Sequence, residues 1–293
     1  MKPFAPKLFI GIAIFGFTGV TLLADDQQDK NTVYYDWAKD AKPGGQTQSP
    51  LMTYHGGKIL PTAAITAIFW GPSWASNTSD EISGLDLFYT GHSNSNYSKT
   101  VDEYTGLGLQ VGAATSYTGH LLDGTAAANG SRPSEILAEV CKLVGPGNSS
   151  GNGYYPVYTD VPRGHAKYCA YHSAGTCPSS STVVQFAFFF KLDGDAGCDP
   201  VDTQTGHSQG LAALANVSAH ELSESRSDPN SGGWYDSRGA ENGDKCAWTF
   251  NVPSVAFTGG TMWKLQGEWS NAAYTAGTGY PNSSGQNGCL DGH

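Results

Sequence analysis

The chain has 293 residues, a formal charge of −10 at pH 7 and only 14 % charged residues, alongside 38 glycines. An acidic chain with no basic stripe repels phosphate backbones, which sets nucleic-acid binding aside. Low charge and a glycine share nearly twice the usual one point to an extracytoplasmic, loop-rich protein containing β-structure.

Lys2 and Lys7 precede an apolar run from Leu8 to Leu23, which ends abruptly at Asp25-Asp26. This is signal-peptide anatomy, so residues 1–24 are expected to be cleaved after Ala24 and the mature chain to be secreted. The run is shorter than a spanning helix, and a retained signal anchor is the alternative. No later stretch is apolar enough to cross a membrane. Losing the leader's two lysines takes the charge from −10 to −12 and leaves about 269 residues, enough for one sizeable core.

Residues 25–52 are polar, carry Pro43-Gly44-Gly45 and lack a hydrophobic period, which reads as a flexible arm; the folded domain is expected over 53–293. Residues 59–70 (ILPTAAITAIFW) read as a buried strand. Residues 82–89 and 134–144 have helical spacing, the second with Ile136, Leu137, Val140 and Leu143 on one face. Strands follow over 154–161, 168–172 and 181–192, the last (STVVQFAFFFKL) apolar enough for the middle of a sheet. A long helix is expected over 208–227, with Ser208 as its N-cap, and short strands around Cys246-Ala-Trp and over 262–269. The pattern predicts a single-domain α+β fold, a mixed β-sheet packed with helices around a zincin-like core helix.

Six cysteines form an even set in an exported chain, so three disulfides are expected. Cys169–Cys177 would close a short loop and Cys246–Cys289 would tie down the C-terminus, leaving Cys141–Cys198 by elimination. None of the spacings is a CxxC motif.

The richest segment runs from His220-Glu-Leu-Ser-Glu224 through Asp236 and Glu241 to Asp244. Residues four apart project side by side on a helix, so His220 and Glu224 are two candidate metal ligands. Glu221 stands where the general base of an H-E-x-x-H zinc hydrolase stands. With Glu224 replacing the second histidine, Zn2+ remains the first candidate, while harder cations gain. Leu211, Leu214, Ala215, Ser218 and Leu222 mark one face of this helix and Ala213, Val217, His220 and Glu224 the opposite one. Both look buried, and buried His and Glu need partners that a cation can supply. Asp236 is favoured as third ligand, with Glu241 and Asp244 as alternatives. A Ca2+ site of Asp236, Glu241 and Asp244 would need oxygen ligands alone. The plainer alternative is a solvated helical turn, with Glu221 or Glu224 paired to Arg226 or Lys245. His172 is the best additional metal candidate, and His55, His92, His120, His165 and His207 read as surface or hydrogen-bonding residues.

Tyr54-His-Gly-Gly-Lys-Ile-Leu, Ile65-Thr-Ala-Ile-Phe-Trp-Gly-Pro-Ser-Trp74, Tyr168-Cys-Ala-Tyr-His172, Ala219-His-Glu-Leu-Ser-Glu224, Asp228-Pro, Gly233-Trp-Tyr-Asp236 and Asp244-Lys-Cys-Ala-Trp248 occur in this order. Together they resemble the phosphate-induced protein 1 (EXORDIUM-like) family over nearly the whole mature chain. The resemblance implies a secreted or wall-associated protein, linked in plants to growth and nutrient responses; it does not imply a particular reaction.

The favoured activity is metal-dependent hydrolysis, with a peptide bond as target. One alternative is a non-catalytic binding protein for a cell-wall polymer, its groove lined by Trp70, Trp74, Trp234, Tyr235, Trp248, Trp263 and Trp269. A second is a serine esterase, since Gly206-His-Ser-Gln-Gly210 matches the G-x-S-x-G elbow around Ser208, although no apolar strand precedes it.

Overall fold

Three apolar runs make the middle of the principal sheet: Ala63–Trp70 (β2), Gly153–Pro162 (β4) and Val183–Lys191 (β6), flanked by Tyr34–Trp37 (β1), Thr115–Asp123 (β3) and Tyr168–Thr176 (β5). The spatial order of the six is β1-β5-β6-β4-β2-β3. The β3/β2/β4/β6 ladder is parallel, whereas β5 runs antiparallel to both β6 and β1. Phe186, Ala187, Phe188 and Phe189 of β6 are fully buried, as suits a strand covered on both faces. The protein is thus mixed α+β, with a mixed sheet and, among the described residues, five helices: Glu81–His92 (α1), Pro133–Val144 (α2), Gln209–Ser227 (α3), Asn242–Cys246 (α4) and Asn271–Ala276 (α5).

The structure is a computed structural model that describes Met1 and residues 33–39, 41, 50–76, 79–127, 131–145, 150–178 and 180–293. The expected signal peptide lies, Met1 apart, outside the described residues; Asn31–His293 forms a unit of its own. Within the stretch expected to be a flexible arm, Tyr34–Trp37 is instead a strand, because β5 offers it a free edge and Trp248 Nε1 donates to Trp37 O at 2.7 Å. No described helix is long and apolar enough to cross a membrane.

Helix α3 lies against the sheet. Ser218 Oγ is 2.7 Å from Tyr158 Oη of β4, and Tyr158 Oη is 2.7 Å from Tyr89 Oη of α1. From Gly210 to Ser227 every residue of α3 is buried, which explains why its sequence is apolar on two faces. Strand alternation puts neighbouring residues of β5 on opposite faces: His172 faces α3, whereas Tyr171 Oη donates to Ser131 O, just ahead of α2. Ser208 is the N-cap as expected, its hydroxyl accepting from Leu211 N at 3.1 Å. At the other end Asp228 Oδ1 accepts from Gly232 N and Gly233 N at 2.7 and 2.8 Å, folding the chain back toward α4. The strand expected around Cys246 is helix α4, organised by a capping box between Glu241 and Asp244.

The disulfides are Cys141–Cys177, Cys169–Cys198 and Cys246–Cys289. The last was expected; Cys169–Cys177 and Cys141–Cys198 were not formed. Cys169 and Cys177 sit at opposite ends of β5, and at about 3.3 Å per residue an extended strand holds them far beyond disulfide reach. Cys169 meets the loop after β6 instead, and Cys177 meets α2. Three disulfides fit an oxidising, extracytoplasmic setting.

Candidate metal centre

Helix periodicity brings His220 and Glu224 together as expected, with His220 Nε2 3.0 Å from Glu224 Oε1. The sheet supplies the second histidine. His172 Nε2 lies 3.4 Å from Glu224 Oε2 and 3.1 Å from Glu241 Oε2. Strand β1 supplies a further carboxylate, Asp36 Oδ1 being 3.9 Å from His220 Nδ1, and stacks the Tyr34 ring on His172 with centroids 4.8 Å apart. From α4 comes Asp244, whose backbone N donates to Glu224 Oε1 at 3.0 Å.

Three sets each place one ligand atom per residue within 4.8 Å of one another: Asp36, His220 and Glu221; His172, Glu221 and Glu224; His220, Glu224 and Asp244. Asp36, His172, His220, Glu221, Glu224 and Glu241 are at most 1 % exposed, and Asp244 alone retains intermediate exposure. Neither Glu221 oxygen accepts a hydrogen bond, and Glu241 Oε1 and His172 Nδ1 are also without one.

Charge in this interior is strongly redistributed. Burial raises the proton affinity of Glu221 and Glu241, and Glu224 raises that of Glu241 further. Asp244 is pushed up to about 7 by burial and by Glu224. Burial also disfavours ionised Glu224, but the His220 and His172 rings overcome it and hold its carboxyl down at about 2. Both rings are held above their ordinary range despite burial, His220 by Asp36 and Glu224 and His172 chiefly by Glu224. Glu224 is thus the carboxylate these rings favour in its ionised form, while Glu221 and Glu241 hold a proton more tightly than an ordinary carboxyl.

The surroundings fix these side chains. Trp248 N donates to Gln266 Oε1 at 3.0 Å, and Gln266 Nε2 is then 2.8 Å from His220 Nδ1, which turns Nε2 toward Glu224. Gly243 must lack a side chain, since a Cβ there would stand 2.9 Å from His220 Nδ1 and 3.0 Å from Glu224 Oε1.

Asp236, the favoured third ligand, belongs to none of the three sets. It accepts from Arg238 N at 2.9 Å, Ala240 N at 3.1 Å and Lys245 Nζ at 3.0 Å, so a turn and an ion pair occupy it. The alternatives Glu241 and Asp244 reach the centre instead, which leaves no calcium loop of Asp236, Glu241 and Asp244. Asp36 gave no signal in the sequence, standing alone in a polar stretch. The solvated-turn alternative fails on burial, and Arg226 reaches Ser98 O at 3.0 Å and Gly112 O at 2.5 Å.

At Ser208 the hydroxyl is engaged as a helix cap, and no strand lies between Lys191 and α3 to form an elbow. Of the residues expected to line a sugar groove, Trp70, Trp74, Trp263 and Trp269 are buried and Trp234, Tyr235 and Trp248 half-buried. His92, expected at the surface or in a hydrogen bond, is fully buried among Phe88, Tyr97 and Phe257, and neither ring nitrogen is hydrogen-bonded. No protein-family model, curated protein or solved structure matches the chain.

Proposed function

We propose that this is an extracytoplasmic metalloprotein in which His220, Glu224 and their neighbours hold a divalent cation. Glu221 carries this reading: a carboxylate buried in the protein, accepting no hydrogen bond, beside two histidines. Leaving such a group unpaired costs several kcal/mol, and a cation offsets the cost. Imidazole nitrogen together with carboxylate oxygen suits Zn2+, whereas Ca2+, the alternative, would leave both rings as bystanders. Binding would release protons from the rings and carboxyls that ligate the ion.

The activity that fits these residues is zincin-like hydrolysis of a peptide bond. Bound zinc supplies a Lewis acid and an acidified water. Glu221, adjacent to His220 on α3 and ionised beside the cation's charge, would take the proton as general base. Asp244 is where the centre approaches solvent and where a substrate would enter. A second reading, a structural cation, is favoured by the burial of the other ligands, because structural sites are closed and catalytic ones keep an open position. The likeness to the phosphate-induced protein 1 family supports a secreted, wall-associated setting, with a cell-wall polymer as the alternative partner.

The test is metal analysis of protein purified without chelators, with melting curves at increasing zinc. We expect bound cation and a zinc-dependent rise in Tm of several degrees that His220→Ala abolishes; no cation and no shift would remove the metal reading. Turnover of a peptide library, lost in Glu221→Gln with zinc retained, would select hydrolysis over a structural role.

A further inference from the structure

Resting on the metal-binding reading, we infer that the centre is built for two divalent cations bridged by Glu224. The two oxygens of this carboxylate face different rings: Oε1 is 3.0 Å from His220 Nε2 and Oε2 is 3.4 Å from His172 Nε2. Two of the three ligand sets divide the same way. His220 falls with Glu224 and Asp244, His172 with Glu221 and Glu224, and only Glu224 is common to these two sets; the third set puts Glu221 within reach of Asp36 and His220 as well. Each half therefore has one imidazole, one terminal carboxylate and one oxygen of the shared one, and in the pair Glu221 is a ligand of the second ion rather than the general base of a single-zinc site. Glu241, 3.1 Å from His172 Nε2, extends the second half, and Asp36, 3.9 Å from His220 Nδ1, extends the first.

Two observations favour a pair over a single ion. The first is the surplus of ligands: Glu221 has both oxygens without a hydrogen bond and Glu241 has one, more than a four-coordinate ion beside His220 can use. The second is charge. Asp36, Glu221, Glu224, Glu241 and Asp244 are five carboxylates around two imidazoles, a formal −5 when all are ionised and the rings neutral. One divalent cation leaves three of these charges to be neutralised by protons in an almost dry interior, whereas two leave one. One nitrogen with several carboxylate oxygens per ion is the donor set of first-row divalent cations such as zinc or manganese. Carboxylate-bridged pairs built on helices use the same donors. A pair about 3.5–4 Å apart can hold both the attacking and the leaving oxygen of a displacement, which a lone ion does less well.

The experiment strips the full mature protein with a chelator, dialyses it against Zn2+ and in parallel against Mn2+, and counts metal per chain by mass spectrometry. X-ray absorption at the zinc edge is recorded on the same zinc-loaded sample. Two ions per chain are expected, with metal–metal scattering at about 3.5–4 Å, and His172→Ala should hold one. One ion per chain, two ions without that scattering, or two ions retained by folded His172→Ala would overturn the pair and leave the metal reading standing. Binding of neither metal would overturn both. Should His172→Ala fail to fold, the scattering from the wild-type protein decides.

Discussion

Glu221 follows His220 directly on α3, and its buried carboxylate accepts no hydrogen bond. A glutamate kept for packing or hydrogen bonding would lose stability on conversion to glutamine. A glutamate kept for a cation gains it in the metal-free protein, since the amide needs no proton to stay neutral. Glu221→Gln is accordingly expected to raise metal-free stability at neutral pH by about 1–3 kcal/mol while shrinking the increment added by zinc. Denaturant melts with and without zinc measure both. His92 offers a pH test outside the centre. Burial, then the Arg226 charge, hold its ring well below the ordinary range, so native His92 is neutral where the unfolded ring, near 6.5, begins to protonate. The unfolded state binds more protons there, and this contribution to stability falls as pH drops below about 6.5. The acid limb of Tm against pH should be shallower in His92→Phe; parallel curves would refute the assignment. Legibility also divides at this scale. The His220, Glu221 and Glu224 grouping was readable because helix spacing is local, and His172 could be named though not placed. Asp36, and the choice of Glu241 and Asp244 over Asp236, depend on which edge β1 joins and how the chain returns after Asp228, and spacing encodes neither.

Helix α3 owes its start to Ser208, whose hydroxyl takes up the Leu211 N–H. Ser208→Ala should lower stability by about 1 kcal/mol. Any hydrolytic turnover should survive, whereas a nucleophilic serine would lose it, so melting and activity of one variant separate the two roles. The apolar strands β2, β4 and β6 and helices α1 to α3 were visible as hydrophobic periods. Strand β3 was not, since TSYTGHLLD lies at a sheet edge and is largely exposed or half-buried. Strand β1 is four residues long and takes its stability from pairing with β5 rather than from its own pattern. Helix α4 reads as a strand in the sequence because five residues contain little more than one turn, and its capping box uses Glu241 and Asp244, the two acids that also approach the His220 and His172 cluster.

For the molecule as a whole, the mixed sheet sets β5 and α3 face to face, and β1 and α4 bring in the remaining acids. The disulfides secure this arrangement. Cys169–Cys198 ties β5 to the loop after β6, Cys141–Cys177 ties its far end to α2, and Cys246–Cys289 fixes α4 to the C-terminal strand Asn287–Leu290. Loops of 29 to 43 residues closed in this way limit the unfolded chain by about 4 kcal/mol each. Such constraint helps keep a buried cluster of acids from opening the fold. Whether that cluster exists for a cation is decided most directly by anomalous diffraction at the zinc edge from crystals grown with zinc. We predict a peak about 2.0–2.1 Å from His220 Nε2 and near Glu224. A map without a peak there, with His220 and His172 still at hydrogen-bonding distance from Glu224 and Glu241, would contradict it.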